Sequence, residues 1–161
     1  MPLSAQLRRW IAVLLMTALA MAGASAALAQ PRIAGFKAFL FNSRNGTLSR
    51  DVLTDTAQLG NVMTGDLSSV STFVVVTVAF GPRASVPDHA RVRLVARTAG
   101  RRGRVLLDRS ARLGPVDEDG TTHVGFWLDD TGCDTIDFRA VLVGGGTPAH
   151  GEATLPFACY E

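Results

Sequence analysis

Residues 122–160, THVGFWLDDTGCDTIDFRAVLVGGGTPAHGEATLPFACY, decide the fold. They hold two apolar-alternating segments, a glycine-rich turn and the chain's only two cysteines, Cys133 and Cys159. Ile136, Phe138, Ala140 and Leu142 fall at every second position, with Asp137 and Arg139 between them. Period two is the mark of a strand with one buried face. Gly144, Gly145, Gly146, Thr147 and Pro148 stop that strand and turn the chain. Ala153, Leu155, Phe157 and Cys159 then alternate again, with Thr154 and Pro156 facing out. Proline donates no ladder hydrogen bond, so the returning strand belongs at a sheet edge or is bulged. The segment reads as the last strands of a β-sandwich.

A hairpin turning at Gly146 sets Cys133 opposite Cys159, because residue 146 is midway between them. A disulfide there closes the ribbon and stabilises it by about 3–4 kcal/mol through loop entropy. The core-facing residues are even-numbered before the turn and odd-numbered after it, so this symmetric register requires a β-bulge, placed at Gly132 or Pro156. The competing readings are two reduced, buried cysteines or a redox-active pair. The chain has no Cys-x-x-Cys and no Lys or His adjacent to either cysteine to lower a thiol pKa.

Residues 1–29 have the pattern of a secretory signal. Arg8 and Arg9 form the charged start, Ile11 to Ala22 is apolar, and Ala27-Leu28-Ala29 is a small-x-small cleavage site. An uncleaved anchor is the alternative, since Trp10 to Ala29 is just long enough to span a bilayer. Cleavage leaves a chain starting at Gln30 with no membrane span, in an oxidising compartment where disulfides persist. The full chain has 16 basic and 14 acidic residues; the leader holds two arginines and no acid, so the remainder is neutral. Its pI is therefore no argument for nucleic-acid binding. The 132 residues that remain suffice for one domain with a core. Arginine outnumbers lysine fifteen to one, a coding bias that points to a bacterial periplasm or cell exterior.

Gln30 to Gly35 reads as a linker before a single domain over 36–161. Phe36 to Phe41 is a short apolar segment. Asn45-Gly46 is a turn signal, or with Thr47 a glycosylation acceptor, and Leu48 to Leu53 returns as a strand. Thr54 to Ser71 is polar and broken by Gly60, Asn61 and Gly65, as in a long loop. Thr72 to Phe80 is apolar on both faces and belongs in the middle of a sheet. Ala90 to Thr98 alternates Val92, Leu94 and Ala96 inward with Arg91, Arg93 and Arg97 outward. Gly100-Arg101-Arg102-Gly103 is a tight hairpin turn, and the return runs from Val105 to about Leu113. Asp117 to Gly120 turns again, into Val124, Phe126 and Leu128. Seven or eight short antiparallel strands without helical periodicity predict an all-β sandwich of the immunoglobulin or fibronectin type III kind, with one disulfide. The antibody-type Cys…Trp…Cys spacing is missing.

The ending Asp130-Thr131-Gly132-Cys133 … Leu155-Pro156-Phe157-Ala158-Cys159-Tyr160-Glu161 resembles that of small exported bacterial proteins of uncharacterised role, with an echo in Leu48 to Leu53. Such chains carry glycine before the final Glu, where this one has Tyr160. The resemblance implies a secreted β-sandwich and no particular activity.

Charge is polarised along the chain. Residues 91–112 carry eight arginines and one acid, Asp108; residues 113–137 carry seven acids and no base. Solvated faces pairing across the sheet are one expectation. The other is a docking surface of Arg91, Arg93, Arg97, Arg101, Arg102 and Arg104 for an envelope protein or an anionic surface polymer, or a head-to-tail self-association. Nucleic acid is not expected, because no aromatic residue lies between Arg91 and Arg112 to stack bases. Asp129, Asp130, Asp134 and Asp137 are hard oxygen donors for Ca²⁺, in no EF-hand spacing. Trp127, of the wrong parity for the core, would form a sugar-stacking platform with Tyr160. His89, His123 and His150 are widely separated, and no hydrolase, metalloprotease or phosphate-loop motif occurs. The expectation is a non-enzymatic exported interaction or structural module without a cofactor. A ligand-binding module for carbohydrate or calcium, or a hydrolase with a dispersed site, are its competitors.

Overall fold

The computed structural model describes residues 30–55, 71–82, 84–129, 131 and 134–157. Among them are eight strands and no helix: β1 Arg32–Asn42, β2 Thr47–Leu48, β3 Thr72–Ala79, β4 Arg91–Thr98, β5 Val105–Arg112, β6 Thr121–Leu128, β7 Ile136–Val143 and β8 Ala149–Leu155. They form two four-stranded sheets, in the orders β2-β1-β3-β6 and β5-β4-β7-β8, and every pairing is antiparallel.

Period two in the sequence becomes two facing apolar layers. Val74, Val76 and Val78 of β3 and Phe126 and Leu128 of β6 meet Leu94 of β4, Phe138, Ala140 and Leu142 of β7 and Leu155 of β8 in one buried core. Most of these side chains are fully removed from water, at roughly 1.5–3 kcal/mol each for the larger ones. β3 lies between β1 and β6 as expected, but only its even-numbered residues are fully buried. Its other face is half-covered, with Phe73 lying over Gly125 of β6.

Three expectations change. The strand expected from Phe36 begins at Arg32, inside the stretch read as linker, because Arg32 and Ile33 pair with Ala79 and Val78 across an irregularity at Ile33/Gly35. The strand expected over 48–53 is the two-residue β2. After it the segment caps the edge of β1 with side chains: Ser49 Oγ accepts from the Leu40 N–H (2.9 Å), and Asp51 Oδ1 from the Ala38 N–H (3.0 Å). Among the described residues the β7–β8 hairpin contains no bulge. Ile136↔Leu155 to Leu142↔Ala149 pair without a shift, and their midpoint lies between Gly145 and Gly146 rather than on Gly146. That half-residue difference accounts for the even-to-odd change. β8 is an edge strand that ends just before Pro156. Cys133, Cys159, Gly132 and the expected loop over 56–70 lie outside the described residues.

One glycine is indispensable to the sandwich. Gly120 has φ +76°, and a Cβ there would stand 1.7 Å from the Gly81 carbonyl oxygen. Its own carbonyl accepts from the Phe80 N–H at 2.8 Å, which joins the end of β3 to the start of β6.

Candidate functional site: an arginine groove on the outer face of the second sheet

β4 folds as an amphipathic strand, so its odd-numbered side chains stand on the outer face of its sheet. Register with the neighbours makes that face a grid. Arg91 has Arg112 on one side and Val143 on the other, Val95 stands between Asp108 and Arg139, and Arg97 stands beside Asp137. In β7–β8, Arg139 pairs with Glu152 and Asp137 with Thr154.

Much of this face neutralises itself. Arg93 grips Asp108 with two parallel hydrogen bonds, Nε to Oδ1 and Nη2 to Oδ2, each 2.7 Å. The bidentate bond holds the Asp108 carboxyl below the ordinary carboxylate range and the Arg93 guanidinium above its own, each by hydrogen bonding first. Arg139 Nε lies 3.7 Å from Glu152 Oε1, and Thr154 Oγ1 donates to Asp137 Oδ1 at 2.8 Å.

The tip of the β4–β5 hairpin is different. Gly103 N–H donates to the Gly100 carbonyl (3.1 Å), so Arg101 and Arg102 are the two central residues of a four-residue turn. Gly100 has φ +103°, and a Cβ on Gly103 would lie 1.9 Å from the Thr98 oxygen, so the Gly-Arg-Arg-Gly spelling is dictated by the turn. Thr98 Oγ1 accepts from the Arg104 N–H at 2.8 Å and locks its base. Just below, Ala96 faces Leu107 while Arg97 faces Val105, a β-bulge that bends the hairpin end.

Between this tip and the outer ends of β7 and β8 runs a groove of about 910 Å³. Arg97, Arg101, Arg102 and Arg139 line it, against the carboxylates of Asp137 and Glu152. Arg101 and Arg102 are exposed, and no ion pair holds either among the described residues. Of the six arginines expected on one surface, the groove collects Arg97, Arg101 and Arg102. Arg93 is committed to Asp108, Arg91 stands at the far end of β4, and Arg104 follows the turn. Sequence reading missed Arg139, Glu152 and Thr154. Their outward parity was legible, but their place beside the turn needed the β4–β7–β8 order.

The acidic residues do not gather. Asp129 Oδ1 accepts from Trp127 Nε1 at 2.9 Å beyond β6, and Asp137 belongs to the groove. Asp134 is exposed and Asp130 lies outside the described residues. No group of three acidic, histidine or cysteine side chains is placed to hold a metal ion among the described residues. Asp117 serves its own turn. Thr121 donates to it through N–H and through Oγ1, both at 2.8 Å, and these bonds hold its carboxyl below the ordinary range. His123 Nδ1 lies 3.0 Å from Thr77 Oγ1 on the outer face of the first sheet. Trp127, 39% exposed, packs edge-on against Phe41 (centroids 5.2 Å) and tilted against Phe73 (6.1 Å). Tyr160 lies outside the described residues. No described helix is long and apolar enough to cross a membrane.

No protein-family model matches the chain, and no curated protein matches it.

Proposed function

We propose that the chain is an exported, non-enzymatic interaction module of the bacterial envelope, and that it holds an anionic surface polymer in the groove beside the Gly100–Gly103 turn. The carrying observation is the turn itself, which presents two exposed, unpaired guanidinium groups beside Arg97. Small-molecule pockets are mostly apolar with a few polar groups. This groove is open and walled by charge, which suits the repeating carboxylates or phosphates of a polymer. The leader-like residues 1–29 support export, and export supports a Cys133–Cys159 disulfide. The sheet orders support an immunoglobulin-type sandwich. β1-β3-β6 corresponds to strands A-B-E, and β5-β4-β7-β8 to C′-C-F-G.

The test is retention on immobilised polygalacturonate, a uronic-acid polymer. The exported chain binds at low salt and is released as salt rises and the Debye length falls to about 8 Å at physiological ionic strength. Arg101→Glu with Arg102→Glu abolishes retention and leaves the unfolding midpoint unchanged, since neither side chain makes a hydrogen bond or ion pair among the described residues. Undiminished retention of the double variant removes this groove from the proposal.

A second reading, a carbohydrate-binding module for neutral sugars, is favoured by one observation. The Trp127 indole is fixed by Asp129 and Phe41 and still exposed. A blue shift of its fluorescence with neutral oligosaccharides supports that reading, and no shift across a broad panel retires it.

A further inference from the structure

Like charges set directly opposite one another across two strands destabilise a sheet. The outer face of the second sheet holds such a pair, at the end away from the Gly100–Gly103 turn. Arg91 of β4 stands in register with Arg112 of β5. The Leu113 N–H donates to the Ala90 carbonyl at 3.3 Å, which makes 90 and 113 a hydrogen-bonded pair. Arg91 and Arg112 therefore form a non-hydrogen-bonded pair, in which opposed Cα atoms come to about 4.5 Å and side chains are closest. Both arginines are exposed, and neither is in an ion pair among the described residues.

The sheet supplies no acid at that end. Arg91 has the exposed Val143 on its other side. In the next row Ser110, Arg93, Val141 and His150 follow one another from β5 to β8. Acids enter one row further on, as Asp108 and Glu152, and there Arg93 and Arg139 lie against them. Asp88, in the loop before β4, lines a groove with Arg112 but forms no ion pair with it among the described residues. β4 pairs with β7 without a shift from Arg91↔Val143 to Thr98↔Ile136, so Arg91 and Arg97 stand on one face. The length of strand between them puts them about 20 Å apart. The face thus carries guanidinium clusters at both ends and a self-neutralised lattice between.

We infer, resting on the polymer-holding groove proposed above, that Arg91 and Arg112 are a second anchor for the same ligand. They clamp one carboxylate of a linear polyuronate between two guanidinium groups, about 20 Å from where the tip groove holds the chain. An anion between Arg91 and Arg112 offsets their mutual repulsion, and the guanidinium fork suits a carboxylate. Two anchors on one ligand bind more tightly than either alone, through effective concentration. The ligand class is therefore a polyanion long enough to reach both ends of β4, and a short acid is a poor substitute.

The test is calorimetric titration of the protein with digalacturonate, which reaches one anchor, and with a galacturonate oligomer longer than about 20 Å. The longer ligand binds about a hundredfold more tightly, and the Arg91 and Arg112 Nε–H signals shift in NMR spectra as it binds. Arg91→Gln with Arg112→Gln cuts that gain by about tenfold or more. The same variant has an unfolding midpoint no lower than the parent's, because it relieves like-charge repulsion. No gain with length in the parent, a gain that survives the variant, or Arg91 and Arg112 signals that stay still overturns the second anchor. If Arg101→Glu with Arg102→Glu still abolishes binding in that case, the tip groove stands without it. A protein that binds neither ligand overturns the groove and the anchor together.

Discussion

The two sheets share one core but present opposite outer faces. The outer face of the second sheet is a charged lattice in which Arg93–Asp108 and Arg139–Glu152 cancel across strands. The hairpin tip, Arg97, and Arg91 beside Arg112 at the far end are in no ion pair among the described residues. The outer face of the first sheet is aromatic and nearly neutral, built from Phe41, Phe73 and Trp127. The contrast teaches that a run of arginines is not itself a binding surface. Within the sheet, Arg93 and Arg139 find acidic partners on neighbouring strands. Where the chain leaves the sheet, at Gly100–Gly103, Arg101 and Arg102 have no such partner among the described residues.

The sharpest way to break this contrast is within one strand. Leu94 is fully buried and its neighbour Arg93 is exposed. Leu94→Ala should cost about 2–5 kcal/mol of unfolding free energy in urea. An equal loss from Arg93→Ala would mean that β4 has no buried face. Next is Trp127→Ala, which gives up two aromatic contacts at about 0.5–1.5 kcal/mol each. Its unfolding midpoint should fall clearly while polygalacturonate retention stays intact. Loss of retention would place the polymer on the wrong sheet. Smallest is Arg93→Ala, an exposed pair whose removal should leave the thermal midpoint within error. A drop that persists at high salt would show the pair to be structural.

Acid provides a second axis for the same comparison. Asp108 and Asp117 have folded-state pKa values below the ordinary 3.8. Each therefore adds stability that is fully present above that value and lost as pH falls through the lower, folded value. Carboxyl titration by NMR should place both midpoints below 3.8, with Asp108 moving up to the ordinary value in Arg93→Ala and Asp117 unaffected. An Asp117 that moves with Arg93 would mean that the turn and the lattice are coupled.

Much of the architecture was legible because period two is a local signal. β3, β4, β5 and the apolar positions of β6 and β7 stand close to where their alternation put them. β1 was cut short because Arg-Ile-Ala-Gly has no alternation and Gly35 sits at an irregularity, so only pairing with β3 extends the strand to Arg32. The β7–β8 bulge was expected from assuming a turn centred on one glycine, when the register centres between two. At the groove, Arg101 and Arg102 were legible from the glycines that flank them. Arg139 and Glu152 were not, because they lie on other strands, far along the chain from the turn, and meet it only through sheet order.

The most direct measurement is a chemical-shift titration of the protein with polygalacturonate. Perturbed amides are expected at residues 97–103, 137–139 and 152–154, abolished by Arg101→Glu with Arg102→Glu, with silence around Trp127. Perturbations centred on Trp127 and Asp129, or spread evenly over both outer faces, would contradict it.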